Sequence, residues 1–351
     1  MISLNELLEL TVNKGASDLH LTVGTVPIIR INGELVKLDE KKLTPKDTET
    51  FSKELLGIHY DRYKEKGEID TSYSIPKIGR FRVNIYKQRD SAAIAIRVVG
   101  LKIPSLEKLN MPNVIKDLTE KRRGLIIVTG PTGSGKSTTL AAMINEINTN
   151  RAAHILTLED PIEYLHKHNK SIINQREIGR DSKSYQNALK AVLREDPDVI
   201  LVGEMRDLET ISIAITAAET GHLVLSTLHT IGAAKTIDRI IDVFPPYQQQ
   251  QIKVQLSAVL QGIVSQQLIA KSNGEGRVAA IETMVSTTAI QNLIREGKTH
   301  QIQSSIQTGA KYGMKTMDSS IVELYKNNVI AYEQALTYAV DVEMFKRLSA
   351  I

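Results

Sequence analysis

One stretch, Gly130-Pro131-Thr132-Gly133-Ser134-Gly135-Lys136-Ser137, constrains the fold more than any other part of this chain. It fits the phosphate-loop pattern Gly-x-x-x-x-Gly-Lys-Ser/Thr at every defined position. Such a loop functions between a strand and a helix, and both flanks comply. Leu125-Ile126-Ile127-Val128-Thr129 is a short apolar, β-branched run that reads as a buried strand. Behind the loop, Leu140, Met143, Ile144 and Ile147 recur at helical spacing. The glycines let successive backbone N–H groups turn toward one anion, and the helix start adds the positive end of its dipole. Lys136 is expected to reach the β- and γ-phosphates of a nucleoside triphosphate, and the Ser137 hydroxyl to ligate Mg²⁺.

Composition narrows the class. A chain of 351 residues is long enough for two or three domains with their own cores. Apolar content of 42% and charged content of 24% are those of an ordinary soluble globular protein. The chain has no Cys, which excludes disulfides and Cys-ligated zinc and accords with a reducing cytosol. Its start, Met1-Ile2-Ser3-Leu4-Asn5-Glu6, lacks the basic-then-apolar order of a signal peptide, and no run is apolar enough to span a bilayer. A cytoplasmic location is therefore expected. The formal net charge of +4 is mild and does not point to nucleic acid.

Residues 1–100 read as a small N-terminal α+β domain. Leu4, Leu7, Leu8 and Val12 mark a helix ending near Gly15, and residues 17–23 alternate like a strand. Residues 28–31 and 34–36 form a hairpin turned by Asn32-Gly33. A helix is expected over 44–56, begun by Thr44-Pro45, and strands over 69–75, 79–88 and 91–99, with a turn at Pro76-Lys77. The last strands carry Arg80, Arg82, Lys87, Arg89 and Arg97. In Arg80-Phe81-Arg82-Val83-Asn84 the arginines alternate with apolar residues, so both lie on one face; by itself that reads as a solvated sheet face. Residues 101–112, with Pro104 and Pro112, read as a linker, and 113–285 as the nucleotide-binding α/β domain.

Three further strands in that domain end on chemistry. His154-Ile155-Leu156-Thr157-Leu158 runs into Glu159, Asp160 and Glu163, where ligands bind in open α/β sheets. Asp160-Pro161 also suits a plain turn, which leaves Glu159 and Glu163 unexplained. Asp198-Val199-Ile200-Leu201-Val202-Gly203-Glu204 is an apolar strand closed by an acid. Glu204 is the expected catalytic carboxylate, orienting or deprotonating the attacking water. Leu223-Val224-Leu225-Ser226-Thr227-Leu228 has His222 before it and His229 after it. His229 lies on the phosphate side, placed to sense the γ-phosphate or to signal across a subunit boundary; His222 reads as structural or intersubunit. Residues 286–351 have helical periodicity throughout and no evident chemistry.

Four blocks carry a family resemblance: Gly-Pro-Thr-Gly-Ser-Gly-Lys-Ser-Thr-Thr at 130–139, Leu-Glu-Asp-Pro-Ile-Glu-Tyr at 158–164, Leu-Arg-Glu-Asp-Pro-Asp-Val-Ile-Leu-Val-Gly-Glu-Met-Arg-Asp at 193–207, and Thr-Gly-His-Leu-Val-Leu-Ser-Thr-Leu-His-Thr at 220–230. They resemble the Walker A motif, Asp box, Walker B motif and His box of the secretion ATPases, and the whole chain is similar to the type IV pilus retraction motors among them. The resemblance implies a PAS-like N-terminal domain, a RecA-like ATPase domain, and a homohexamer hydrolysing ATP with Mg²⁺ to power pilus retraction at an inner-membrane platform protein. The motor would then be peripheral to the cytoplasmic face of the membrane. The implied nucleotide-binding residues are Gly130, Pro131, Thr132, Gly133, Ser134, Gly135, Lys136, Ser137 and Thr138. Ser137 with Glu159 and Asp160 would serve the metal, and Glu204 and Glu163 catalysis, with His229.

The resemblance also reassigns the basic strands: Arg80, Arg82 and Arg97 would reach the nucleotide phosphates from the N-terminal domain, supplying positive charge in the transition state. Assembly and type II secretion motors of the same superfamily typically carry a tetracysteine zinc element and an extra N-terminal domain; this chain is expected to have neither. One departure is Gln291, where retraction motors usually place an Arg in the motif read here as Ala289-Ile290-Gln291-Asn292-Leu293-Ile294-Arg295-Glu296.

Overall fold

A computed structural model of the chain describes residues 2–31, 33–38, 41–76, 78–99 and 103–349. Asn32 and Lys77 of the two expected turns, and the first residues of the expected linker, lie outside that set. Contacts divide the chain into two compact units, residues 1–102 with Glu163–Leu165, and Ile103–Ile162 with His166–Ile351.

The first unit begins with α1 (Leu4–Asn13). Ser3 and Glu6 form a reciprocal capping box there, with the Ser3 amide donating to the Glu6 carboxylate at 2.7 Å. Strands β1 (Asp18–Leu21), β2 (Ile28–Ile31) and β3 (Glu34–Lys37) follow, then α2 (Pro45–Leu56) and α3 (Tyr60–Lys66), then β4 (Glu68–Ile75), β5 (Gly79–Gln88) and β6 (Ser91–Val99). The strands make one antiparallel sheet in the order β3-β2-β1-β6-β5-β4. Along β5, Phe81, Val83 and Ile85 are buried against Leu4, Leu7 and Leu8 of α1 and Phe51 and Leu55 of α2. The pleat puts Arg80 and Arg82 on the opposite face, and Arg82 pairs in register with Arg97. Helix α3 was not evident from the sequence, its seven residues being too short for a periodic signature.

The second unit carries a seven-stranded sheet. Its elements are α4 (Asn113–Thr119), β7 (Gly124–Thr129), α5 (Lys136–Asn150), β8 (His154–Glu159), β9 (Ile172–Glu177), α6 (Tyr185–Val192), β10 (Val199–Val202), α7 (Leu208–Glu219), β11 (Leu223–Leu228), α8 (Ala233–Asp242), α9 (Pro246–Val259), β12 (Leu260–Ala270) and β13 (Arg277–Val285). After these come α10 (Thr288–Arg295), α11 (Ile302–Gln307), α12 (Met317–Lys326), α13 (Tyr332–Tyr338) and α14 (Val342–Ser349). The strand order is β13-β12-β7-β11-β10-β8-β9, parallel except where β13 folds back on β12.

Helices cover both faces of this sheet, which is why β7, β10 and β11 are buried at every residue and read as unbroken apolar runs. On one face, α4 and α5 close a core around Ile126, Val128, Ile144 and Leu225, and Leu106 of the segment before α4 is buried in it. On the other, α6 to α9 pack over Leu125, Ile127, Ile200 and Val224, joined by Ile290 and Ile294 of α10 and Ile302 and Ile306 of α11. Each fully buried aliphatic side chain contributes about 1.5–3 kcal/mol, so the interior strands are the most strongly held part of the unit. Helices α12 to α14 form a satellite core on β12 and β13, with Phe345 stacked near Tyr325 and Tyr332. The fold class expected from the sequence is the one found: an α/β P-loop unit, a smaller α+β unit before it and helices at the end. Among the described residues no helix is long and apolar enough to cross a membrane.

Candidate active site

The parallel strands end along one edge of the second sheet, and their register brings the predicted residues to that edge. The 130–135 loop follows β7, Glu159 ends β8, Gly203 and Glu204 follow β10, and His229 follows β11.

The loop's backbone admits little else. Gly130 sits at φ 144°, and a methyl group built there would lie 2.2 Å from the Gln266 backbone carbonyl and 2.7 Å from Ser134 Oγ. Gln266, on β12, supports the loop with its side chain too: its Nε2 donates to the Ser134 carbonyl at 2.7 Å. Helix α5 starts at Gly135 with no side-chain cap, so the N–H groups of its first turn have no capping side chain as acceptor. Lys136 Nζ donates to the carbonyls of Gly130 and Pro131 at 2.9 and 3.0 Å, curled over the loop. Ser134 Oγ is buried without a hydrogen-bond partner. Pro131, Thr132, Gly133, Ser137 and Thr138 complete the loop and are half-buried or exposed. A glycine cradle, an uncapped helix start, a lysine and an orphaned hydroxyl fit an anionic phosphate chain.

Thr129 ties this loop to the end of β11. Its hydroxyl donates to the Leu228 and Thr230 carbonyls at 3.2 and 2.5 Å, and Thr230 Oγ1 lies 2.7 Å from Thr236 Oγ1 on α8. The next turn is fixed by a buried acid: Glu282 on β13 accepts from the Ala233 amide at 2.7 Å and the Met317 amide at 3.2 Å, the first residues of α8 and α12.

Glu204 is mostly buried, with a side chain 14% exposed. One oxygen meets Arg206 Nη2 at 2.6 Å and the other His229 Nε2 at 3.4 Å. The strand end beneath it is pinned, because Thr227 Oγ1 donates to the Gly203 carbonyl at 2.6 Å and the Gly203 amide to Leu158 O at 2.8 Å. The carboxylate in turn pushes the Arg206 pKa further up. Glu159 accepts from Thr157 Oγ1 at 2.7 Å and Gln175 Nε2 at 3.1 Å, and Asp160 follows it. Among the described residues no group of three or more His, Asp or Glu side chains is disposed to hold a metal. That suits Mg²⁺ in a phosphate-loop site, which takes one or two protein ligands beside phosphate oxygens and water.

His222 is placed otherwise. Its Nδ1 lies 2.9 Å from the Ala217 carbonyl and 3.2 Å from Thr220 Oγ1, at the C-terminal end of α7. Glu163 belongs to the first unit, as do Arg80, Arg82 and Arg97. There Arg80 Nη2 donates to Ser72 Oγ at 2.8 Å, and Arg97 Nε pairs with Asp18 at 2.9 Å. Sequence reasoning missed Gln266, Arg206 and Thr129. A signal for Gln266 existed: Gln266-Gln267 interrupts an otherwise apolar strand, and a buried amide needs a reason.

Comparison with known proteins accords with this geometry. The family model described as type II/IV secretion system protein matches residues 2–337. The type IV pilus retraction ATPase PilT of Pseudomonas aeruginosa is 47% identical over 335 residues, 95% of this chain and 97% of that protein. A twitching motility protein of Neisseria gonorrhoeae is 47% identical over 310 residues, 88% of this chain and 83% of its own length. The crystal structure of the pilus retraction motor PilT with bound ADP superposes with a TM-score of 0.93 at 48% identity, covering 99% of this chain and 100% of that one. The chain belongs to the type II/IV secretion system protein family and, within it, to the PilT-type ATPases.

Proposed function

We propose that this chain is the Mg²⁺-dependent ATPase motor of type IV pilus retraction, working as a homohexamer at the cytoplasmic face of the membrane against a platform protein of the pilus machine. The observation that carries this reading is the meeting of the 130–138 loop with Glu204 and His229 along one sheet edge. The loop amides and Lys136 bind the phosphates, and Ser137 with Glu159 and Asp160 holds the ion. Mg²⁺ supplies charge neutralisation between the β- and γ-phosphates.

Glu204 orients the attacking water and takes its proton. The water oxygen bonds to the γ-phosphorus as the bond to the ADP oxygen breaks, and the proton passes on to the released phosphate. His229, 3.4 Å from Glu204, senses the γ-phosphate side of that exchange. Arg80, Arg82 and Arg97 supply positive charge to the phosphates, and Glu163 assists. Arg82 and Arg97 support this, since two like charges directly opposed on adjacent strands weaken a sheet and are retained on an exposed face. His222 serves structure or a subunit contact.

The biochemical test is steady-state phosphate release. Glu204→Ala should retain ATP binding and lose hydrolysis, and Lys136→Ala should lose both; wild-type turnover equal to that of Glu204→Ala sinks the motor reading. The physiological test is deletion of the gene, scoring surface pili. Accumulated pili with lost motility support retraction, whereas bald cells indicate an assembly motor.

A further inference from the structure

Tyr185 opens α6, on the face that packs against the core around Ile200 and Val224. Its hydroxyl reaches the edge where the chemistry lies. A methyl group built on Gly203 would stand 2.7 Å from that hydroxyl, 3.1 Å from the Leu158 carbonyl and 3.4 Å from Glu159 Cα. The phenol therefore fills the gap between the ends of β8 and β10 and sits where any side chain at 203 would go. Gly203 has no positive φ to explain it; close approach by Tyr185 does.

Four charged groups surround the hydroxyl: Glu159 and Asp160 from the end of β8, and Glu204 and Arg206 from the loop after β10. Three of them are acids. Burial first, and then Glu204, Asp160 and Glu159, push the phenol's ionisation above its ordinary range, so it keeps its proton and can only add a donor to a ring of acceptors. The other partners of Glu204 are looser, since Arg206 and His229 have side chains 74% and 52% exposed. Tyr185 instead rises from a helix whose neighbours Ala188, Leu189 and Val192 are fully buried.

We infer that Tyr185 is a positioning residue for hydrolysis: its hydroxyl, wedged over Gly203, orients the Glu204 carboxylate toward the attacking water. This rests on the ATPase reading above. The same hydroxyl forces glycine at 203 and so sets the path of the chain into Glu204.

Tyr185→Phe keeps the ring and removes only the oxygen. Steady-state phosphate release, binding of a fluorescent ADP analogue and thermal unfolding are measured on the full chain, beside wild type and Glu204→Gln. The expected result is a kcat lower by about 5–30-fold, the scale of one lost hydrogen bond to a charged group. KM for ATP, affinity for the ADP analogue and Tm stay at wild-type values. A kcat equal to wild type overturns the inference. A fall in Tm or ADP affinity that accounts for the lost turnover overturns it too, because that marks a packing role. A wild type no faster than Glu204→Gln overturns the ATPase reading, and this inference with it.

Discussion

Gln266→Leu removes the amide that holds the phosphate loop from behind, and the structure allows its effect to be worked out. Gln266 is 1% exposed, and its Nε2 donates to the Ser134 carbonyl at 2.7 Å. Losing that donor leaves the carbonyl without a bond that costs about 1–3 kcal/mol to leave unmade. A second effect opposes the first. Gln266 Oε1 is itself buried with no hydrogen-bond partner among the described residues, and deleting an unpaired buried oxygen recovers about 1–3 kcal/mol. Leucine is close to glutamine in volume, so no large cavity forms. Global stability should therefore change by no more than about 1 kcal/mol, a Tm shift of roughly 2–4 °C in a unit of this size.

The loop has no such compensation, because the recovered energy does nothing to orient the Ser134 carbonyl. If the binding-competent loop becomes about 1.4 kcal/mol less favourable, apparent affinity for ADP falls about tenfold. Titration with a fluorescent ADP analogue, paired with calorimetry on the same preparation, measures both quantities. Unchanged affinity at unchanged Tm refutes the reasoning. So does an affinity loss that merely tracks a large fall in Tm.

Three other perturbations test separate parts of the molecule. Gly130→Ala places a methyl 2.2 Å from the Gln266 carbonyl at a backbone angle of φ 144°, and should abolish ADP-analogue binding by roughly 100-fold or more; measurable binding within tenfold of wild type contradicts the cradle. Glu282 is 2% exposed, and burial, the largest influence on it, raises its pKa above the ordinary 4.5. Folding thus favours its protonated form, so the stability tied to it is complete below pH 4.5 and is lost as pH rises toward the raised value. Glu282→Gln lacks this loss, and urea midpoints should show the variant gaining on wild type between pH 4.5 and 7; a difference independent of pH refutes the assignment. Arg82→Ala relieves a like-charge pairing with Arg97, so Tm should hold and light scattering should show the ring intact, while turnover falls about 100-fold or more. Near-normal rates retire the trans-arginine role.

Much of the site was legible because each functional residue punctuates an apolar run. Gly130, Glu159, Glu204 and His229 all stand where a buried parallel strand ends, and that junction is visible as a change from Val, Ile and Leu to Gly, acid or His. The one-face placement of Arg80 and Arg82 was likewise written in a period of two. Tyr185, Arg206 and Gln266 were not legible, since their roles arise across space. Gln266 meets Ser134 from 132 residues away, and nothing local distinguishes it from Gln267. Strand β9 escaped because it is an edge strand with exposed Ile172 and polar Asn174, Gln175 and Arg176. Helix α7 escaped for the opposite reason: Ile211, Ile213 and Ile215 alternate with Ser212, Ala214 and Thr216, a β-like pattern that packing overrides. Strand β12, buried on both faces, offered no alternation at all.

The support of the loop by β12 also orders events during synthesis. Strand β7 and the phosphate loop leave the ribosome early, yet β7 cannot gain its second parallel neighbour until Leu260 to Ser265 have been made. At translation rates of about 5–20 residues per second, the 132 residues between Ser134 and Gln266 take roughly 7–26 s. Throughout that interval the nascent chain carries a complete phosphate-binding sequence without the strand that shapes it. Competence to grip nucleotide is thus acquired late, and a ribosome stalled before codon 266 holds a chain that has the motif but not the site.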